Sequence, residues 1–300
     1  DGESFYGHLL RAKLARASLH WTAAVAYQDF SPGFRADNGF IWTTGYRNVE
    51  AVSGYAFRWD NHPLLTMIEP RVSFWRKYNY DGLVKDTGFR PTLQIQMPRQ
   101  ISVYIGSLVY NRENLRGKQF EDARQIWFWI GTNMTKSIST ETYFHVGQEF
   151  NRMGIDGDPY NPFEVVATYR LNAIVTLRPT AKITNRLEIR NFSLWQSHWS
   201  RQIMGQRIWR NTFSYNFNRN LFIRLIAEYN HVSLADSQNG QMAKQGTFSF
   251  EPLVSYKLNA FSVFYLGAHL GAWNNLSLDW EDIRLNDQTV YMKIQYLIGL

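Results

Sequence analysis

Val290-Tyr291-Met292-Lys293-Ile294-Gln295-Tyr296-Leu297-Ile298-Gly299-Leu300 is the stretch that decides the fold. Val290, Met292, Ile294, Tyr296, Ile298 and Leu300 occupy one set of alternate positions. Tyr291, Lys293, Gln295, Leu297 and Gly299 occupy the other. Successive side chains of a strand point to opposite faces, so this is a strand with one apolar and one mostly polar face. It ends on an apolar side chain, as strands of outer-membrane barrels do when lipid lies outside and a polar lumen inside.

The same two-faced pattern recurs upstream. In 165–178, Val165, Ala167, Tyr169, Leu171, Ala173, Val175 and Leu177 alternate with Val166, Thr168, Arg170, Asn172, Ile174, Thr176 and Arg178. In 182–190, Ile183, Leu187 and Ile189, with Asn185 among them, oppose Thr184, Arg186, Glu188 and Arg190. Segments 209–217, 221–231 and 64–74 read the same way, and a first strand is expected near 4–13. Short turns are expected near 14–17, 61–63, 97–100, 134–137, 178–181, 217–220 and 257–260. Long polar loops are expected near 30–47, 77–84, 111–119, 151–162, 196–205, 233–246 and 273–287. Alternating short and long connections fit periplasmic turns and external loops, and a soluble sandwich or propeller has no reason to keep that parity.

The expectation is therefore an all-β, transmembrane, antiparallel up-and-down β-barrel with about fifteen visible strands and sixteen or more in the complete barrel. No Pro/Gly/Ser linker or composition shift divides residues 1–300, which read as one domain. The final strand follows a long loop and the first precedes a short turn, so both run inward. An even-numbered barrel then implies that N-terminal strands are lacking: they precede this chain, they lie in another polypeptide, or the strand count is off by one. The C-terminus is expected in the periplasm and the long loops outside the bacterial cell.

Composition narrows function by exclusion. Zero Cys argues against disulfides and Cys-ligated metal or haem. No run of about 18 apolar residues exists for a membrane helix, and the slightly negative mean hydropathy suits a barrel whose strands are half wetted. The net charge of +7 comes from Arg and Lys scattered singly along strands, which does not suit a nucleic-acid partner. No cofactor is implied. The expected partners are outer-membrane lipid and lipopolysaccharide, with another polypeptide completing or plugging the barrel.

Aromatic side chains cluster toward strand ends, and Trp42, Trp59, Trp75, Trp195, Trp209 and Trp273 are the expected interfacial girdle. Arg170, Arg178, Arg186, Glu188, Arg190, Arg210, Arg224 and Glu228 fall on one side of four consecutive strands. An Arg at the lipid midplane costs about 2–4 kcal/mol, so this set is expected to line the pore and favour anions, or to form a salt-bridged ladder. No Gly-x-Ser-x-Gly, His-Glu-x-x-His or P-loop motif occurs, and no catalytic residue is assigned. Glu141, Tyr143, His145 and Glu149 share a strand face and could form a lumenal metal or acid–base site. Asp156 and Asp158, in Asp156-Gly157-Asp158-Pro159, are weak Ca²⁺ candidates. The acidic segment Asp279-Trp280-Glu281-Asp282 reads alike.

Tyr27-Gln28-Asp29-Phe30-Ser31-Pro32-Gly33-Phe34, then Asp37-Asn38-Gly39-Phe40 and Thr44-Gly45-Tyr46-Arg47, resembles a passage in large outer-membrane barrels. Those proteins form a domain-of-unknown-function family that carries a family-9-type carbohydrate-binding domain at the N-terminus. The resemblance implies that this chain is the C-terminal part of such a barrel, without that domain and the earlier strands. The expected function is a polar, Arg-lined conduit for a solute or polymer, rather than an enzyme. A structural or assembly subunit with a plugged lumen is the alternative. An outer-membrane barrel hydrolase, needing a Ser/His/acid set at the rim, is the second.

Overall fold

The computed structural model describes residues 6–35, 41, 43–133, 135–236, 239–259, 262–275 and 284–296, with the side chains at 273–275, 284 and 285 left aside. Every regular element but one 3-10 turn is a β-strand. β1 (Leu9–Ala17), β2 (Trp21–Phe30), β3 (Tyr46–Tyr55), β4 (Phe57–Arg58), β5 (Met67–Asn79) and β6 (Val84–Met97) come first. β7 (Ile101–Leu108), β8 (Tyr110–Leu115), β9 (Lys118–Glu121), β10 (Gln125–Thr132), β11 (Ile138–Phe150) and β12 (Val165–Thr180) follow. β13 (Ile183–Trp195), β14 (Gln202–Asn216), β15 (Leu221–Ala235), β16 (Met242–Lys257), β17 (Val263–Asn275) and β18 (Arg284–Gln295) complete the sheet.

All ladders are antiparallel and, outside three interrupted staves, join sequence neighbours, giving one up-and-down sheet. Three staves of this wall are interrupted rather than continuous. β3 and β4 both pair with β5, β7 and β8 both pair with β6, and β9 and β10 pair with β8 and β7 respectively. The eighteen strands therefore make fifteen staves, in line with the count expected from the sequence. Among the described residues no ladder joins β18 to β1. Every residue of β1 is exposed, as are residues 286–295 of β18, whereas the central strands are mostly half-buried.

Register fixes the two faces. Leu14, Val25, Phe74, Phe89, Ile105, Ile126, Phe144, Leu187, Trp209, Leu266, Val290 and Met292 are exposed, and the pairing places all of them on one face. Packed against nothing and mostly apolar from β1 to β18, this face suits a hydrocarbon solvent. The opposite face holds most ion pairs of the wall, whereas Asp29–Arg47 sits at the end of β2 and β3 on the apolar face. An all-β sheet apolar outside and polar inside is a transmembrane antiparallel β-barrel wall.

The connections correct part of the expected parity. At one end the turns are short and closed by their own side chains. Ser18 Oγ accepts from Trp21 N, His62 Nδ1 from Leu64 N and Leu65 N, Thr135 Oγ1 from Ser137 N and Ile138 N, and Asn218 Oδ1 from Asn220 N and Leu221 N. The turn expected at 14–17 falls instead at 18–20, because β1 runs on to Ala17.

At the other end, two of the expected long loops are tight hairpins. β5 and β6 are joined by 80–83, with Gly82 at φ +85°, and β8 and β9 by Arg116-Gly117 with φ 52° and 80°. Two successive left-handed residues are what a two-residue hairpin turn needs. Polarity misleads there because staves that project past the membrane are wetted on both faces. The Arg112–Glu121 pair, 3.4 Å apart on β8 and β9, is such a wetted cross-strand contact. The 276–283 connection, the segment 279–282 and residues 297–300 lie outside the described residues.

Candidate functional site: the polar inner wall

The pore-lining set predicted from sequence does share one face. Opposite one another stand Thr176 and Arg186, Glu188 and Arg210, Arg210 and Glu228, and Ser214 and Arg224. Arg178 lies beyond the register shift that follows Leu177 and reaches Ser139 Oγ at 3.3 Å. Most of these residues are tied, Arg224 excepted, whose Nε is buried without a hydrogen-bond partner. Arg170 Nη2 donates to Glu149 Oε2 at 2.8 Å and its guanidinium lies 4.7 Å over the Phe192 ring. Glu188, 6% exposed, holds two arginines, Arg190 at 2.5 Å and Arg186 at 3.5 Å. Arg210 Nη1 meets Glu228 Oε2 at 3.1 Å. The patch is a salt-bridged ladder with more guanidinium than carboxylate, and Arg170, Arg186, Arg190 and Arg210 stay partly exposed.

A second feature of this wall escaped the sequence reading. Trp75, expected in the lipid interface, faces inward. Its ring lies over Gly88, where a Cβ would stand 2.0 Å from Cζ2. Trp127 lies over Gly106 in the same manner, at 2.1 Å. Arg90 sits between the two tryptophans, 4.9 Å from the Trp75 ring and 5.4 Å from the Trp127 ring. Trp129 stands edge-on to Tyr104, and its Nε1 donates to Glu141 Oε1 at 3.1 Å. The signal in the sequence was a glycine on the polar face of each strand beside a tryptophan, which only register pairs up.

The remaining girdle residues divide. Trp195 lies at the loop end of the outer face with Trp199 at 6.3 Å, and Trp59 lies at the turn end against His62. Trp209 faces outward but from the middle of β14, so it is a lipid-facing core residue of the band rather than a boundary marker. Trp42, and the side chain of Trp273, lie outside the described residues. The turn-end girdle also includes Trp21, Tyr55, Tyr215 and Phe217, which sequence reasoning did not single out. Trp21 Nε1 donates to Ser53 Oγ at 3.1 Å, and Arg16 lies over its ring at 4.8 Å.

Glu141, Tyr143, His145 and Glu149 are together on the inner face, but the two carboxylates are tied elsewhere and both ring nitrogens of His145 are buried without a hydrogen-bond partner. Glu141 binds Trp129, Glu149 binds Arg170, and His145 is buried between the positions of Trp127 and Arg170. Asp156 is exposed beside Lys118 at 3.6 Å. Asp158 Oδ1 caps its own loop by accepting from Tyr160 N and Asn161 N. Among the described residues no three His, Asp or Glu converge as metal ligands. At the loop-end rim His8 Nε2 lies 3.4 Å from Asp29, which also accepts from Tyr80 Oη. Burial and that carboxylate push the Tyr80 phenol up. Ser31 Oγ there accepts the backbone N–H of His8, and among the described residues no serine hydroxyl bonds to a histidine ring.

Fold and wall together define the class: a transmembrane up-and-down β-barrel with a charged, aromatic-studded inner face. No family model matches the chain, and no curated protein matches it. Among solved structures it is similar to OmpT (in-vitro folded), an outer membrane protein of Vibrio cholerae, with TM-score 0.37 and 9% identity over 98% of this chain and 96% of that one. The trimer form of that protein aligns with TM-score 0.33 and 10% identity over 97% and 95%. Likeness at this level decides nothing about this chain, whose class rests on its two-faced wall.

Proposed function

We propose that this chain is the wall of a bacterial outer-membrane barrel whose lumen conducts a solute or polymer passively. The carrying observation is the Arg–Glu lattice of β12–β15, set back to back with a mostly apolar face that the Asn185–Asn211 pair interrupts. Arginines anchored by carboxylates are held still, and their remaining N–H groups give a positive path that lowers the electrostatic cost for anions. The short turns lie in the periplasm and the longer loops outside. Reconstitution of the protein in a planar bilayer tests this reading. Stable conductance steps support a water-filled lumen, and silence after confirmed insertion overturns it.

The open seam favours a second component. β1 and β18 are the first and last of fifteen staves, so they run in the same direction and cannot close on each other antiparallel. A second copy inserted with the same orientation carries the same mismatch. Open sheet edges do not persist in hydrocarbon. We infer that an odd number of further staves, supplied by polypeptide outside residues 1–300, completes the barrel. A plugged assembly subunit is the alternative that a silent, inserted barrel would support.

A further inference from the structure

We propose that the inner wall carries a binding subsite for a small hydroxylated carboxylate, in a recess between β11 and β14. The proposal rests on the conduit reading of the inner face and names what that face recognises.

Register builds the subsite as two adjacent rows. One row runs Tyr143, Asn172, Arg190, Ile208, and the other His145, Arg170, Phe192, Gln206. Facing neighbours stand about 5 Å apart and diagonal ones about 7–8 Å. Arg170 and Arg190 are therefore diagonal neighbours, flanked by Asn172 and Phe192. Together with Tyr143 and Gln206 they line a recess of about 420 Å³, a volume that holds a small organic solute with its hydration.

Each element of this recess asks for a different part of one ligand. Arg170 and Arg190 are held by Glu149 and Glu188 at 2.8 and 2.5 Å, which fixes their planes, and their side chains remain 47% and 59% exposed. Two pre-set guanidiniums at diagonal spacing suit a planar carboxylate, which accepts N–H bonds from both. The carboxamide oxygen of Asn172 is buried and has no hydrogen-bond partner, although the residue lines the recess. A buried acceptor left unmade is costly, and a turn of the carboxamide toward the recess would let a ligand hydroxyl satisfy it. The Phe192 ring carries Arg170 on it and presents an apolar surface for a C–H face. Carboxylate, hydroxyl and C–H face on one small skeleton describe a sugar acid.

The test is isothermal titration of the detergent-solubilised full protein with sodium D-glucuronate. Methyl glucoside controls for hydroxyls without charge, and acetate for charge without hydroxyls. The expected result is saturable glucuronate binding at least tenfold tighter than either control. The double variant Arg170→Gln/Arg190→Gln should weaken it tenfold or more. Asn172→Leu, which keeps both charges, should erase the preference for glucuronate over acetate. If the double variant fails to fold by circular dichroism, Arg190→Lys keeps the charge but loses the planar fork, and should still weaken binding several-fold. Absent saturation, equal binding of acetate, or indifference to Asn172→Leu and Arg190→Lys each overturns the subsite. Titration needs no conduction. Binding by a silent barrel would leave the subsite standing and remove the conduit, whereas a conducting barrel that ignores glucuronate would do the reverse.

Discussion

Single side chains on the inner wall work through what lies directly across the ladder. Trp127 can lie flat only because Gly106 opposite has no Cβ. Gly106→Ala should therefore push the ring off the wall, loosen Arg90, and cost about 1–3 kcal/mol by overpacking. Denaturant unfolding in micelles measures it, and an unchanged midpoint would show that the ring can move freely. Glu188 works in the opposite sense, as the shared counter-charge of Arg186 and Arg190. Glu188→Gln removes one negative charge and frees two guanidiniums. Under the conduit reading, the reversal potential in a potassium chloride gradient should move toward chloride. Because both arginines are more than 40% exposed, the stability loss should stay near 1 kcal/mol.

At the scale of elements, the loop after β11 is a built piece of structure. Phe120, Ala123, Phe150 and Phe163 form a small buried core between β9 and that loop. Arg116 donates to the carbonyls of Gly154 and Arg152, Lys118 donates to the carbonyl of Phe163, and Arg152 pairs with Glu113. Phe163→Ala should remove about 3–5 kcal/mol of local packing and release the 151–164 segment while leaving the staves intact. Trypsin should then cut after Arg152 much faster than in the unaltered protein, with the strand core still resistant. Equal cutting rates would mean that the hydrogen bonds alone hold the loop. The hairpin at Arg116-Gly117 gives the loop its fixed partner, since a long mobile loop there could not clamp it.

For the whole molecule, the charge on the wall and the seam are the governing features. Replacing Arg186, Arg190 and Arg210 together by Ala should shift a conducting barrel toward cations, and unchanged selectivity would sink the idea of a positive wall. The seam makes a separate prediction. In the isolated 300-residue chain, amides facing outward from β1 and β18 lack ladder partners. They should exchange with deuterium faster than those of β12–β16. If further staves complete the barrel, as proposed, supplying them should slow both edges together. Protection equal to that of the central strands in the isolated chain would refute the open edge.

The sequence by itself determined the facing of nearly every stave, because alternation is local. Val290, Met292 and Ile294 could only point one way if Tyr291 and Lys293 pointed the other, and Arg170, Arg186 and Arg210 follow from the same period of two. It also placed most short turns, since Asn218 and Thr135 cap turns by bonding to residues two or three further on. Tertiary structure alone decided what sits beside what. Trp75 reads as a boundary residue until β6 brings Gly88 under it and Arg90 over it. Residues 111–119 read as a loop until β8 pairs with β9. Asn172, Arg190 and Phe192 become one recess only when β12 and β13 fix their register. Those relations join residues about ten to twenty positions apart through backbone ladders, and no local pattern of polarity encodes which rung meets which.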